Sequence, residues 1–297
     1  MDSIKKITAP NGGIFTGQGT NTYLVGQDDI TLIDPGPNIQ EHVENILLEG
    51  DGKINRIFVT HTHTDHSPAA LPISKELNIP MYGRLVDGKS DWEDKSFVPD
   101  NVLSHGDTIE TSEYSLEVIH TPGHASNHLC FYLTQTKCLF TGDHIMDGST
   151  VVIAPPDGNM AAYLSSLELL KNYDIENFAP GHGNYMDNPY KTIDSIIRHR
   201  LARESKVMRN IEANQNLTID ELLPIVYSDI HDSLYPIAKM SLLAHLIKLV
   251  SDKKINLNEG NNIEDYSFNI FELDAASNLS LIHISEPTRQ EAISYAV

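Results

Sequence analysis

Two cysteines in 297 residues, Cys130 and Cys138, are too few for a disulfide framework. No apolar run approaches the roughly 20 residues a bilayer-spanning helix needs, so no membrane partner is expected. The amino end, MDSIKKITAPNGG, has neither the apolar core of a secretory signal nor the Arg-rich amphipathic character of a transit peptide. The expected location is the cytoplasm. Positive charge is also scarce: 21 Lys and Arg face 41 Asp and Glu, a formal net charge of −20. Such a surface repels nucleic acid at long range unless basic side chains are gathered in one place, and double-stranded DNA is not an expected partner. What remains, 40% hydrophobic and 21% charged, is the composition of a folded globular protein long enough for two domains.

Residues 14–36 predict two strands joined by a turn at Gly26–Asp29, closed by Asp34-Pro35-Gly36. A helix near Gln40–Leu48, a strand at Arg56–Thr60 and a helix starting at Ser67-Pro68 follow. Tyr114–His120, His128–Leu133 and Cys138–Thr141 read as further strands, the last two around a TQTK turn. Strands with helices beside them in each half predict a layered α/β fold around two sheets. From Met160 onward the pattern is helical, over Ala161–Tyr173 and Pro189–Ala213. Thr218–Ile255 reads as a separate small helical domain, with a capping box at Thr218–Glu221 and a helix over Leu234–Val250. The domain expectation is therefore 1–213, then 214–277. The tail 278–297, ending LIHISEPTRQEAISYAV, reads as adapter-derived, non-native or disordered sequence, not as the end of a domain.

Fourteen histidines are the main chemical signal. Directly after the Arg56–Thr60 strand comes His61-Thr62-His63-Thr64-Asp65-His66. Alternation puts His61 and His63 on one side, and the turn beyond aims Asp65 and His66 elsewhere, so one segment can serve two adjacent metal positions. Thr121-Pro122-Gly123-His124, Gly142-Asp143-His144 and Pro180-Gly181-His182-Gly183 each add a donor where a strand gives way to a loop. Nitrogen-rich donor sets suit zinc first, with iron or manganese as alternatives. His128 and His144 lie beside candidate ligands, with packing the favoured role. His42, His105, His120, His231, His245 and His283 have no donors around them, and the two cysteines read as small buried hydrophobes.

This series, His-x-His-x-Asp-His, TPGH, GD and PGHG, resembles the signature of the metallo-β-lactamase-fold hydrolases. Gln18–Gly26 (QGTNTYLVG) and His199–Glu204 (HRLARE) are similar to the branch called β-lactamase-like protein 2. Ser67-Pro68-Ala69-Ala70 departs from the glycines many relatives carry there. The resemblance covers about residues 14–255 and implies a four-layer αββα sandwich followed by a winged-helix-like domain. It further implies His61, His63 and His124 on one metal, Asp65, His66 and His182 on a second, and Asp143 between them. A hydroxide bridging two Zn2+ ions would then be the nucleophile, with Asp65 and Asp143 as the catalytic carboxylates. Asp34 either orients an imidazole or caps a turn.

The substrate is less legible. Lys191, Arg198, Arg200, Arg203, Lys206 and Arg209 make a locally basic helix, read either as a phosphate contact, with Arg198, Arg200 and Arg203 as substrate residues, or as a solvated helix face. Relatives in the resembled branch imply single-stranded RNA first and acyl-carrier or glutathione thioesters second. A non-catalytic metal- or nucleic-acid-binding regulator is a third reading. β-Lactams are disfavoured, and the oligomeric state is open.

Overall fold

The computed structural model describes residues 3–88, 90, 92–214, 217–258 and 267–270. Two six-stranded sheets lie face to face. The first has the order β1 (Ile4–Thr8), β2 (Asn21–Val25), β3 (Ile30–Ile33), β4 (Ile54–Phe58), β5 (Met81–Gly83), β6 (Asn101–Val102). The second runs, edge to edge, β12 (Met186–Asp187), β11 (Asn177–Pro180), β10 (Cys138–Gly142), β9 (Leu129–Leu133), β8 (Ser115–His120), β7 (Thr108–Glu110).

The period of two along each strand explains the layering. Tyr23, Val25, Ile33, Phe58, Val118, Phe131 and Phe140 point inward and form the core between the sheets. Their neighbours Leu24, Leu32 and Ile57 point outward and meet α1 (Gln40–Gly50) and α2 (Ala70–Leu77). On the other flank Ile119, Cys130 and Leu139 meet α3 (Met160–Leu170) and α4 (Pro189–Ala213). Both faces of the central strands are thus covered, and that is why they read as unbroken apolar runs. Cys130 and Cys138 are buried and unpaired, and burial pushes both thiols up to about 12.

The second unit holds α5 (Ile219–Val226), with the capping box between Thr218 and Glu221 in place, and α6 (Tyr235–Ser251). With its leading turn, α6 is long and apolar enough to cross a membrane by length and composition. Its Ala238, Leu242, Leu246 and Leu249 instead pack with Val207, Ile211, Leu222 and Val226 in a small core. Three short strands, β13 (Leu217–Thr218), β14 (Ile255–Asn258) and β15 (Ser267–Ile270), form a sheet beside these helices. Helices beside a small sheet agree with the winged-helix-like expectation for this unit.

Two expectations change. Residues 14–20 are a loop, not the first half of a strand, and α2 starts at Ala70, after Ser67-Pro68. The expected tail, 278–297, lies outside the described residues.

Candidate metal centre

β3 and β4 run parallel in the first sheet. β8, β10 and β11 share one direction in the second, because β9 is antiparallel to both β8 and β10 while β10 is parallel to β11. Five strands therefore deliver their carboxyl ends to one rim of the sandwich. The sheets are stitched together there: Leu129 N–H donates to the Thr60 carbonyl at 2.7 Å, and Asn21 N–H to that of Gly181 at 2.7 Å. Close approach makes two glycines necessary. At Gly181 a Cβ would lie 2.7 Å from Asp143 Oδ1. At Gly142, in the left-handed region at φ 46°, one would lie 2.6 Å from Thr60 Oγ1.

At this rim His61, His63 and His124 bring one ring nitrogen each to a common point; the Asp65 carboxylate gathers with the ring nitrogens of His66 and His182, and the Asp143 carboxylate with those of His61 and His66 between them. His61 Nε2 and His124 Nε2 both lie 3.0 Å from His63 Nδ1. Asp143 spans the two sides, with Oδ1 3.3 Å from the Nε2 atoms of His66 and His182 and Oδ2 3.7 Å from His124 Nε2. Asp65 Oδ2 is 3.3 Å from His182 Nε2 and 3.4 Å from His66 Nε2.

The outer nitrogens fix the tautomers. His124 Nδ1–H donates to the Val152 carbonyl at 2.6 Å and His182 Nδ1–H to that of Gly19 at 3.1 Å, and carbonyls only accept. His66 Nδ1–H donates to Asp34 Oδ2 at 2.9 Å. Thr60 gives its single hydroxyl proton to the same carboxylate at 2.7 Å, so it accepts from His61 Nδ1–H at 3.1 Å. Four imidazoles consequently turn Nε2 inward. His63 is reversed: its Nδ1 faces in and its Nε2 lies 3.6 Å from Glu93 Oε1.

Asp34 thus orients His66 directly and His61 through Thr60. Its φ of 49°, a conformation Asp tolerates better than most residues, turns the carboxylate back beneath them. Glu93, which also accepts from Thr62 Oγ1, belongs to no motif and had no signal in the sequence. Thr20 and Asn21 were legible only as part of QGTN. Thr20 Oγ1 reaches Asp65 at 3.4 Å, and Asn21 Nδ2 donates to the carbonyls of Pro180 and Gly183. His128 is buried, accepts from Asp143 N–H at 3.1 Å and meets Thr121 Oγ1 through its other nitrogen. The buried His144 ring stands edge-on to Tyr163, 5.0 Å between centroids.

Electrostatics divides the rim. Burial, reinforced by neighbouring imidazoles, holds His61 well below the usual histidine range and His63 at about 3, so both are neutral bases. On the other side burial opposes charge but loses to pairing. Asp143 raises His182 to about 10 and Asp65 raises His66, while those imidazoles bring Asp65 to about 2. His66 Nε2 and Asp143 Oδ1 are buried and face each other without a hydrogen-bond partner. Neutral imidazoles on one side, imidazoles paired with carboxylates on the other, and orphaned polar atoms aimed at one point fit divalent cations.

Arg200 and Arg203 are not at this rim. Arg200 is buried and donates to the Val151 carbonyl; Arg203 is buried, bidentate on Asp229 at 2.7 and 2.9 Å and bonded to the Val226 carbonyl. Of the three arginines expected to contact substrate only Arg198 is exposed. A basic count along α4 misses this, because the residues it sums lie on different sides of the helix.

Above the donors opens a cavity of about 250 Å³. Its walls are mostly apolar, with Phe15, Trp92, Met146, Val151, Val152 and Met240, the last from α6, beside the polar Thr16, Ser90 and Asp157, and no Lys or Arg lines it among the described residues.

Comparison with known proteins decides the lineage. A model of the metallo-beta-lactamase superfamily matches residues 15–182. The chain belongs to that superfamily. It is a metallo-β-lactamase-fold hydrolase, and residues 218–260 match the winged helix domain associated with beta-lactamase folds. The chain is 28% identical over 279 residues to the beta-lactamase-like protein 2 homolog of Drosophila melanogaster, covering 90% of this chain and 94% of that one. It is 27% identical over 268 residues to an atrochrysone carboxyl ACP thioesterase of Aspergillus chevalieri, covering 85% and 82%. A metallo-beta-lactamase family protein of Thermus thermophilus has the same fold, with TM-score 0.74, 17% identity and coverage of 91% and 99%. Metallo-β-lactamase folds of this kind hold metal ions in a binuclear site, and the His/Asp clusters provide for one here.

Proposed function

We propose that this metallo-β-lactamase-fold protein hydrolyses acyl thioesters, or closely related esters, with an apolar acyl group. The apolar lining of the cavity over the donor cluster carries this reading. A phosphodiester backbone calls for cations beside the reacting group. The cavity offers none among the described residues, and Arg200 and Arg203 are committed to internal bonds. These observations support ranking thioesters ahead of single-stranded RNA, which the resembled branch and the basic residues of α4 put first. The second unit supports the same choice, with Lys239 paired to Asp220, and Lys248 and Lys254 to Glu204 and Asp252. The similarity to a thioesterase points the same way.

In this reading His61, His63 and His124 would hold one cation and Asp65, His66 and His182 a second, with Asp143 placed between the two groups. The nitrogen-rich donors favour zinc over iron or manganese. Such a pair of ions would supply Lewis acidity and a source of hydroxide near neutral pH. The chain's own part is to aim five imidazoles inward, to exclude bulk water with Phe15, Trp92 and Met240, and to seat the acyl group on those walls. Two buried reduced cysteines suit a reducing compartment, and we assign the protein to the cytoplasm.

The test is a panel assay on protein loaded separately with zinc, iron or manganese. Turnover of acyl thioesters, greatest with zinc, is expected. Salt-dependent cleavage of single-stranded RNA without thioester turnover would restore the nuclease reading. Stoichiometric metal without any turnover would favour the non-catalytic regulator.

A further inference from the structure

Arg200 is an arginine in an unusual place. Its side chain is buried, its Nε has no hydrogen-bond partner, and no carboxylate is paired with it among the described residues. A buried guanidinium without a counter-ion costs stability, so its contacts need a reason. There are two. One N–H donates to the Val151 carbonyl, and the guanidinium lies over the Tyr163 ring, 5.4 Å from its centroid.

Both contacts lead to His124. The carbonyl of Val152, the next residue along the loop that Arg200 holds, accepts the His124 Nδ1–H at 2.6 Å. Tyr163 packs beneath the turn that carries His124: a Cβ on Gly123 would come within 2.4 Å of Tyr163 Cα. Tyr163 also donates to the His144 carbonyl at 3.0 Å, one residue beyond Asp143. Arg200 therefore grips His124 from its hydrogen-bonded side and from below.

We infer that Arg200 is a positioning residue for the His61/His63/His124 pocket, fixing the His124 imidazole through the Val151–Val152 backbone and Tyr163. The inference rests on the reading that these histidines bind metal. It gives a function to the HRLARE segment of α4. Arg200 serves the catalytic unit, while Arg203 and Glu204, one turn on, bond to Asp229, Val226, Lys248 and Lys254 of the second unit. The joint between the units and the support of a metal ligand are one stretch of helix.

Metal-free protein titrated with zinc against a chromophoric chelator tests this without reference to activity. The wild type is expected to take two ions in resolvable steps. Arg200→Met is expected to weaken one step by about tenfold, the low end for partners that orient a ligating histidine. The other step should stay unchanged, and the cobalt(II) absorption of the weakened pocket should shift. Arg200→Lys, which keeps the charge but not the planar fork, should lose less in the same step. Arg203→Met, which touches no part of the 151–152 loop, should lower the melting temperature and leave both steps alone.

An unchanged titration in Arg200→Met, or equal weakening in Arg200→Met and Arg203→Met, overturns the inference while leaving the metal reading intact. A wild type that binds no divalent metal overturns both. If Arg200→Met does not fold, an unchanged titration in folded Arg200→Lys overturns it alone.

Discussion

A histidine ligand is only as good as the group holding its other nitrogen, and here each holder is named. Asp34 accepts from His66 Nδ1 and, through Thr60, disposes His61. Asp34→Asn would keep the shape but turn an NH2 toward His66 Nδ1, favouring the tautomer that blocks Nε2. Zinc affinity of the Asp65/His66/His182 pocket should fall ~10–100-fold, measured by chelator competition. Asp143→Ala removes the carboxylate that, among the described residues, reaches both pockets and should cut hydrolysis on the order of 100-fold or more. His144→Ala, whose ring lies against Tyr163, should cost less than about tenfold. Equal losses in steady-state assays would show that Asp143 has no special role.

At the scale of the element, α4 is the instructive case. Ile193, Ile196, Arg200, Arg203, Val207 and Ile211 recur every three or four residues and form one buried stripe, while Arg198 falls outside it. The helical phase was in the sequence, but a charge count ignores phase. Glu204, also buried in this helix, is held at about 2 by its pairing with His245, Lys248 and Lys254, against the cost of burial. A carboxyl lowered on folding contributes stability that is complete above its unfolded pKa of ~4.3 and lost as pH falls through the folded value. The melting-temperature gap between wild type and Glu204→Gln should therefore be constant above about pH 5 and close toward pH 2. Differential scanning calorimetry across that window checks it, and a gap that widens on acidification would contradict the assignment.

For the whole molecule, charge and cavity make the same claim on the substrate. The net charge of −20 disfavours polyanions, and the apolar walls favour an acyl chain. Turnover of an uncharged acyl thioester should change by less than about twofold between low and high salt, since it neutralises no phosphates. It should also be unaffected by Arg198→Glu. Stopped assays at two ionic strengths, with RNA cleavage measured alongside, separate the cases. Met240 ties the second unit to this cavity, so deleting that unit should alter substrate preference and not merely stability.

The donor atoms were legible in the sequence because metal chemistry restricts residue type and because the donors follow strand ends, with His124, Asp143 and His182 each directly after a glycine. The sandwich was legible because two-sided burial writes unbroken apolar strands. Glu93, the tautomer-fixing carbonyls of Gly19 and Val152, and the sides of α4 on which its arginines fall belong to tertiary structure. A carbonyl has no identity in a sequence, and a carboxylate 30 residues from its histidine becomes a partner only when two loops meet. The choice between a basic groove and an apolar one was decided by the same folding, which drew Arg200 and Arg203 inside and left Phe15, Trp92 and Met240 around the cavity.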